Sequence, residues 1–233
     1  MTREEYINNI FTTYDLVSVL SNKNECCVYR LRHKELKKDL VLRSYKEYLP
    51  AYDALVSINC KNLPLVYDSI ILEDGHIVLE EFISSITLAE YLEVESLRYK
   101  GAKNIIKGVC NALSVLHSLG IVHRDVKPEN IVLDNNGRVV LIDFNVSRFV
   151  KNTKRDTVIM GTVGYASPEQ LGFAQSDART DIYATGVLLN VILTGKHPSE
   201  TIVGGKAGHI VRKCTAISPD DRYKNAESLF LAL

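Results

Sequence analysis

The chain has 233 residues, enough for one large domain or two small lobes, and 46% are apolar, which supports a sizeable core. Lys plus Arg number 28 and Asp plus Glu number 28, so no bulk attraction to nucleic acid or an anionic membrane is implied. No apolar run reaches a membrane span, Met1-Thr2-Arg3-Glu4-Glu5 lacks a signal-peptide pattern, and five cysteines without Cys-x-x-Cys spacing read as the reduced thiols of a cytoplasmic protein.

In chain order, Ile7, Ile10 and Phe11 are spaced for a short helix within residues 2–12. Apolar runs at Tyr14 to Leu20, Cys27 to Leu31 and Leu40 to Tyr45 predict three strands. A helix is predicted from about Tyr48 to Ile58, ending before Asn62-Leu63-Pro64. Leu65 to Leu72 and His76 to Phe82 flank the turn Glu73-Asp74-Gly75 as a further strand pair. Thr87-x-x-Glu90 is a capping box that opens a short helix. Gly101 reads as a break. After it Ile105, Ile106, Val109, Ala112, Leu113 and Leu116 recur at helical spacing, and Gly120 ends that helix.

A polar stretch follows, His123-Arg124-Asp125-Val126-Lys127-Pro128-Glu129-Asn130. Then come Ile131-Val132-Leu133, the turn Asp134-Asn135-Asn136-Gly137, Val139 to Ile142, and Asp143-Phe144-Asn145. Asn-Gly between apolar runs signals a hairpin. A helix, a polar loop and a hairpin ending in an aspartate bring Asp125, Asn130 and Asp143 near one another. Such groups suit phosphoryl transfer, which needs a carboxylate to orient a hydroxyl and hard oxygen ligands for Mg2+.

Further on, Asp181 to Thr194 is almost wholly apolar and predicts a buried helix that Gly195 stops. Gly204, Gly205 and Gly208 predict a short irregular connection between Pro198 and His209, and residues 225–233 read as an amphipathic stub. His33, His76, His117, His197 and His209 have no ligand spacing and read as surface or packed side chains.

The stretch from His123 to Asn130, with Asp143-Phe144-Asn145 after it, resembles the catalytic loop and metal-binding Asp-Phe-Gly of protein kinases. Gly161-Thr162-Val163-Gly164-Tyr165-Ala166-Ser167-Pro168-Glu169 resembles the substrate-receiving segment of serine/threonine kinases of bacterial type. The resemblance covers roughly residues 14–233 and implies an α+β, bilobal protein-kinase fold. Residues 1–233 form a single kinase domain on this reading: a small β-rich N-lobe at about 1–83, a hinge at about 81–86 and a mainly helical C-lobe at about 87–233. It implies transfer of the γ-phosphate of ATP, with Mg2+, to Ser or Thr hydroxyls of protein substrates, while the balanced charge and the lack of an apolar span imply no nucleic-acid or membrane partner.

The implied roles follow residue by residue. Asp125 orients the acceptor hydroxyl, Lys127 stabilises the transferred phosphate, Thr162 bridges these two, and Asn130 and Asp143 bind Mg2+. Val28, Val41 and Val132 enclose adenine, the backbones of Glu81 and Ile83 hydrogen-bond it, and Arg43 holds the phosphates. Asp181 holds the catalytic-loop backbone, and Arg222 pairs with Glu169. Thr153 and Thr157 lie in a segment resembling an activation loop, where an added phosphate would meet Arg124. Phe144 packs beneath the helix of the first lobe, and His123 packs rather than titrates.

The first lobe departs from the pattern. Ser21, Lys23 and Cys26 stand where the phosphate-covering glycines belong, Arg43 where the lysine does, and Ala51 where its glutamate partner does. Asn145 replaces a glycine, a position where tolerance of left-handed backbone matters. Glu80, the gatekeeper, either faces Arg43 in place of the missing glutamate or forms a solvated pair with Glu81; Glu47 is the second candidate. These departures make a pseudokinase, a binding module without phosphotransfer, the alternative to an active enzyme. Retention of Asp125, Lys127, Asn130, Asp143 and Thr162 favours activity.

Overall fold

The computed structural model describes residues 1–23, 26–150, 164–171 and 176–233. The chain divides into two units, residues 1–60 with 64–83, and residues 61–63 with 84–233.

The first unit starts with α1 (Arg3–Ile10), opened by a capping box between Thr2 and Glu5. Strands β1 (Tyr14–Lys23), β2 (Cys26–His33) and β3 (Asp39–Tyr45) follow, then α2 (Pro50–Leu55), β4 (Val66–Leu72) and β5 (Gly75–Glu81). The strands form one sheet in the order β1-β2-β3-β5-β4. Its register sorts the side chains by period two. Leu42 pairs with Tyr29 and Leu79, while Arg43 pairs with Val28 and Val78. Leu31, Leu40, Leu42 and Ile77 form a buried cluster covered by Tyr6, Ile7, Ile10 and Phe11 of the N-terminal segment. Val28, Val41, Arg43 and Glu80 therefore share the opposite face.

Helix α2 is shorter than the predicted Tyr48 to Ile58. Pro50 starts it, since it lacks an amide hydrogen and its φ suits a first helical position. The chain leaves the helix at Val56, where ψ is 126° and a parallel bridge joins Val66. Ala51 is buried, as are Tyr52 and Leu55.

In the second unit, β6 (Ser85–Thr87) leads to α3 (Leu88–Val94), whose capping box joins Thr87 and Glu90. Helix α4 (Tyr99–Ser118) runs through Gly101 instead of starting after it. A Cβ at Gly101 would lie 2.9 Å from Leu97 Cδ2, so this glycine makes room for a side chain inside the first turn. Gly120 closes the helix end with φ +74°. Next come β7 (Ile121–Val122), β8 (Ile131–Asp134), β9 (Val139–Leu141) and β10 (Arg148–Phe149). β6, β8 and β9 form one small sheet, and β7 with β10 another.

Helix α5 (Ala178–Thr194) is capped by Asp177 and ends at Gly195 with φ +68°. The glycine-rich stretch expected to be irregular instead enters a helix, α6 (Gly205–Cys214). Left-handed backbone, φ +65°, accounts for Gly205, and close contact accounts for Gly208 and for Gly186 of α5. A Cβ on Gly208 would sit 2.0 Å from the Val203 carbonyl oxygen, and one on Gly186 would sit 2.2 Å from Cys214 Cβ. The last helix, α7 (Ala226–Ala232), packs on α4. Among the described residues no helix is long and apolar enough to cross a membrane.

Glu169 and Arg222 form a buried two-pronged pair, with Nη1 2.7 Å from Oε1 and Nη2 2.9 Å from Oε2. Arg222 also donates to the carbonyls of Ala216, Ile217 and Arg179. Burial alone would raise the Glu169 carboxyl, but its bonds from Arg222 and Thr180 hold it below the usual range. The pair thus contributes stability above pH 4.5 that is lost as pH falls through the lowered folded value. Arg222→Ala is expected to cost about 3–5 kcal/mol in denaturant unfolding, because it leaves a buried carboxylate without its cation. The sign of the Glu169 contribution should then reverse, so that the variant regains stability on acidification.

Candidate active site

The loop after β7 is built around Asp181, which is fully buried in the first turn of α5. Its Oδ2 accepts from the His123 amide at 2.9 Å, and its Oδ1 from the Arg124 amide at 2.8 Å. His117 Nε2 donates to the same carboxylate at 2.8 Å. Arg124 adopts left-handed backbone, φ +70°, which is costly for a side chain of its size. The Asp181 bonds hold this turn, and Gln170 Nε2 adds another to the Arg124 carbonyl at 2.9 Å. His123 is fully buried. Its Nε2 bonds the Ile142 carbonyl at 3.2 Å, its Nδ1 accepts from the Asp125 amide, and its ring meets Phe144 edge-on at 5.5 Å. Burial pushes its pKa down against the pull of Asp181, Asp125 and Asp143, so the ring is a neutral packing element among three carboxylates.

Asp125 Oδ2 lies 2.8 Å from Lys127 Nζ and 2.8 Å from Asn130 Nδ2. The Asn130 amide also donates to the Asp125 carbonyl at 2.8 Å. Asn130 Oδ1 accepts no hydrogen bond among the described residues. The Ile142 amide donates to the Asn130 carbonyl at 2.9 Å, which sets the start of Asp143 beside Asn130. The Asp143 carboxylate accepts one bond, from the Asn145 amide at 3.3 Å, and has no ion-pair partner among the described residues. Two neighbouring hard-oxygen groups with open lone pairs fit Mg2+, which takes few protein ligands and completes its shell with phosphate and water.

The left-handed residue of this segment is Asp143 itself, φ +70°, and not Asn145. Asparagine thus meets no conformational demand that glycine alone would satisfy. Phe144 is fully buried against His123. Val132 is buried in β8, opposite Thr87 and Val140. Thr153, Thr157 and Thr162 lie outside the described residues.

Within the first unit, Arg43 Nε donates to Glu80 Oε1 at 2.6 Å, with both residues buried. The register explains the pair: Val41 is opposite Glu80, and Arg43 is two residues along on the same face. Glu47 is exposed and makes no ion pair among the described residues. Val28 and Val41 are buried beside Arg43, and the Glu81 amide donates to the Leu65 carbonyl at 2.8 Å. Ile83 follows the end of β5. Where glycines were expected, the β1–β2 ladder continues through Ser21 opposite Val28 to Lys23 opposite Cys26.

Two supporting residues escaped the sequence reading. Gln170 braces Arg124, and the only signal for it is its place next to Glu169. Asn62, read merely as part of a helix stop, donates to the Val139 carbonyl at 2.6 Å, while its own carbonyl accepts from the Leu141 amide.

The protein kinase domain family matches residues 17–229. The chain is 30% identical over 199 residues to serine/threonine-protein kinase PrkC of Bacillus subtilis, covering 74% of this chain and 31% of that protein. It is 31% identical over 180 residues to serine/threonine-protein kinase PknB of Mycolicibacterium smegmatis, covering 65% and 29%. It is 45% identical over 103 residues to the "Probable serine/threonine-protein kinase PknB" of Corynebacterium glutamicum, covering 42% and 16%. The chain therefore spans less than a third of the length of each of these relatives.

Proposed function

The chain belongs to the protein kinase family, of the bacterial serine/threonine type, and from that premise we propose that it transfers the γ-phosphate of Mg-ATP to Ser or Thr hydroxyls of protein substrates. The observation that carries this reading is the Asp125 carboxylate, held at 2.8 Å by both Lys127 and Asn130 on a loop tied to buried Asp181. Asp125 receives the acceptor hydroxyl, aligns its oxygen and takes its proton as the new bond to the γ-phosphorus forms, while the bond from that phosphorus to the bridging β-phosphate oxygen breaks and ADP leaves. Lys127 stays beside it to balance charge on the transferred phosphoryl group. Asn130 and Asp143 would hold Mg2+, which when bound neutralises the nucleotide phosphates. Thr162 would bridge Asp125 and Lys127, in keeping with hydroxyl acceptors on protein chains.

In the first unit, Arg43 offers a charged guanidinium to the nucleotide phosphates, and Val28 and Val41 offer apolar surface to adenine. Glu81 and Ile83 would pair with the base through their backbones. The Glu81 amide also donates to the Leu65 carbonyl at 2.8 Å. In the second unit, Val132 would offer apolar surface to adenine.

A pseudokinase is the second reading, favoured by the paired ladder from Ser21 to Lys23 and by Arg43 itself. Incubation with radiolabelled Mg-ATP, alone and with a generic basic protein, decides between them. Incorporation into Ser or Thr is the expected result. A folded protein that binds Mg-ATP yet incorporates nothing over hours would be a pseudokinase.

A further inference from the structure

A cleft in the second unit, about 340 Å3 in volume, lies where the β8–β9 hairpin, the middle of α4, α7 and residues 61–62 come together. Lys61, Lys107 and Arg138 line it together with Asn104, Asn111 and Phe230, and no carboxylate among the described residues does. This concentration of cations is local, since the chain as a whole carries 28 basic and 28 acidic residues. Lys61 and Lys107 form no ion pair among the described residues. Asp134, in the same hairpin, is turned to the backbone amides of Asn136 and Arg138.

The cleft is also built. Arg138 Nε donates to the Lys61 carbonyl at 2.6 Å and Nη2 to the Leu63 carbonyl at 3.0 Å, which fixes the guanidinium. Asn111 Nδ2 donates to Asn62 Oδ1 at 3.3 Å, and Asn62 in turn is tied to Val139. The Asn104 side-chain amide makes no hydrogen bond among the described residues. Lys107 Nζ sits 4.3 Å above the Phe230 ring, a partner that a cation exchanges readily for an anion. Cations focused in a concave site with amide donors and an aromatic wall are complementary to an anion carrying an apolar body.

We propose that this cleft binds a small organic phosphate, a phosphate monoester with a flat apolar body. The phosphate takes charge-assisted bonds from Lys61 and Lys107 beside the fixed Arg138. When Lys107 swings to it, the Phe230 ring is released to the body. The site is separate from Asp125 and does not depend on the kinase reading.

Phenyl phosphate is the probe, titrated by calorimetry into the full chain with and without saturating Mg-ATP. One saturable site that Mg-ATP leaves in place is expected. Inorganic phosphate and benzyl alcohol should each bind at least tenfold more weakly, and K61Q/K107Q should weaken phenyl phosphate at least tenfold. Lys107→Arg keeps the charge and should retain binding, which guards against an unfolded double variant. Displacement by Mg-ATP, indifference to K61Q/K107Q, or no binding at about 10 mM would overturn the proposal. Equal affinity for inorganic phosphate would overturn the assignment to an organic ester.

Discussion

Asp125→Asn is expected to lower the rate of phosphate transfer by about 10^2–10^4-fold, the usual worth of a positioned general base, while the protein stays folded. The substitution is nearly isosteric. An amide oxygen at the position of Oδ2 still accepts from Lys127 and from Asn130, each 2.8 Å away in the native loop. The backbone bonds from Asp181 to His123 and Arg124 are untouched. What disappears is the negative charge and the capacity to take a proton from the acceptor. The loss should therefore fall on kcat with the KM for ATP little changed, the signature of an interaction made in the transition state. The melting temperature should stay close to that of the parent, because Asp125 and Lys127 are partly exposed and such pairs are worth about 1 kcal/mol or less. Equal transfer by both proteins would place the chemistry elsewhere. A collapse of stability would mean that Asp125 is a structural residue. Asp181→Ala is the contrasting variant, since it strips two amides and an imidazole of their shared acceptor and should damage fold and activity together.

How much could be read in advance followed the range of the interactions. The Thr87–Glu90 capping box and the helix stop at Gly195 are set by a few neighbouring residues, and they form where the sequence places them. The Asp181 brace and the Glu169–Arg222 pair join distant segments, and only the kinase resemblance made them legible. Glycines misled wherever their role was contact instead of conformation. Gly101 and Gly208 read as interruptions, yet each lies inside a helix where a neighbour takes the space of a Cβ. The short α2 was hidden for a different reason. Its apolar residues have helical spacing, but the bridge from Val56 to Val66 ends it, and strand pairing of that kind leaves no local trace. The strained residue was misplaced too. The attachments of Ile142 and Asn145 fix the backbone at Asp143, and the modest tolerance of aspartate for left-handed backbone is too general to single it out in the sequence.

The Arg43–Glu80 pair was left open by the sequence, and its geometry leads to a second large effect. Glu80→Ala is expected to cost about 3–5 kcal/mol, because a buried guanidinium loses the carboxylate that lies 2.6 Å from its Nε. Arg43→Lys keeps the charge but not the planar fork, so it should weaken the pair even though it restores the usual residue of the kinase pattern. Stability alone does not reveal whether Arg43 also serves the nucleotide, since a purely structural pair behaves the same way. The double variant R43M/E80L separates the two roles. Replacing both members of a buried pair with apolar side chains of similar size is often neutral or stabilising by about 1–4 kcal/mol, so this protein should melt near the parent temperature. If Arg43 holds the phosphates, Mg-ATP should nonetheless bind it at least tenfold more weakly, a loss of about 1.4 kcal/mol or more. A stable double variant with parental affinity for Mg-ATP would reduce the pair to scaffolding, and the phosphate clamp would have to be sought among other residues. The expected pattern has Glu80→Ala lose stability and affinity together, and the double variant lose affinity alone. It would make Glu80 a positioning residue that stands in for the glutamate replaced by Ala51.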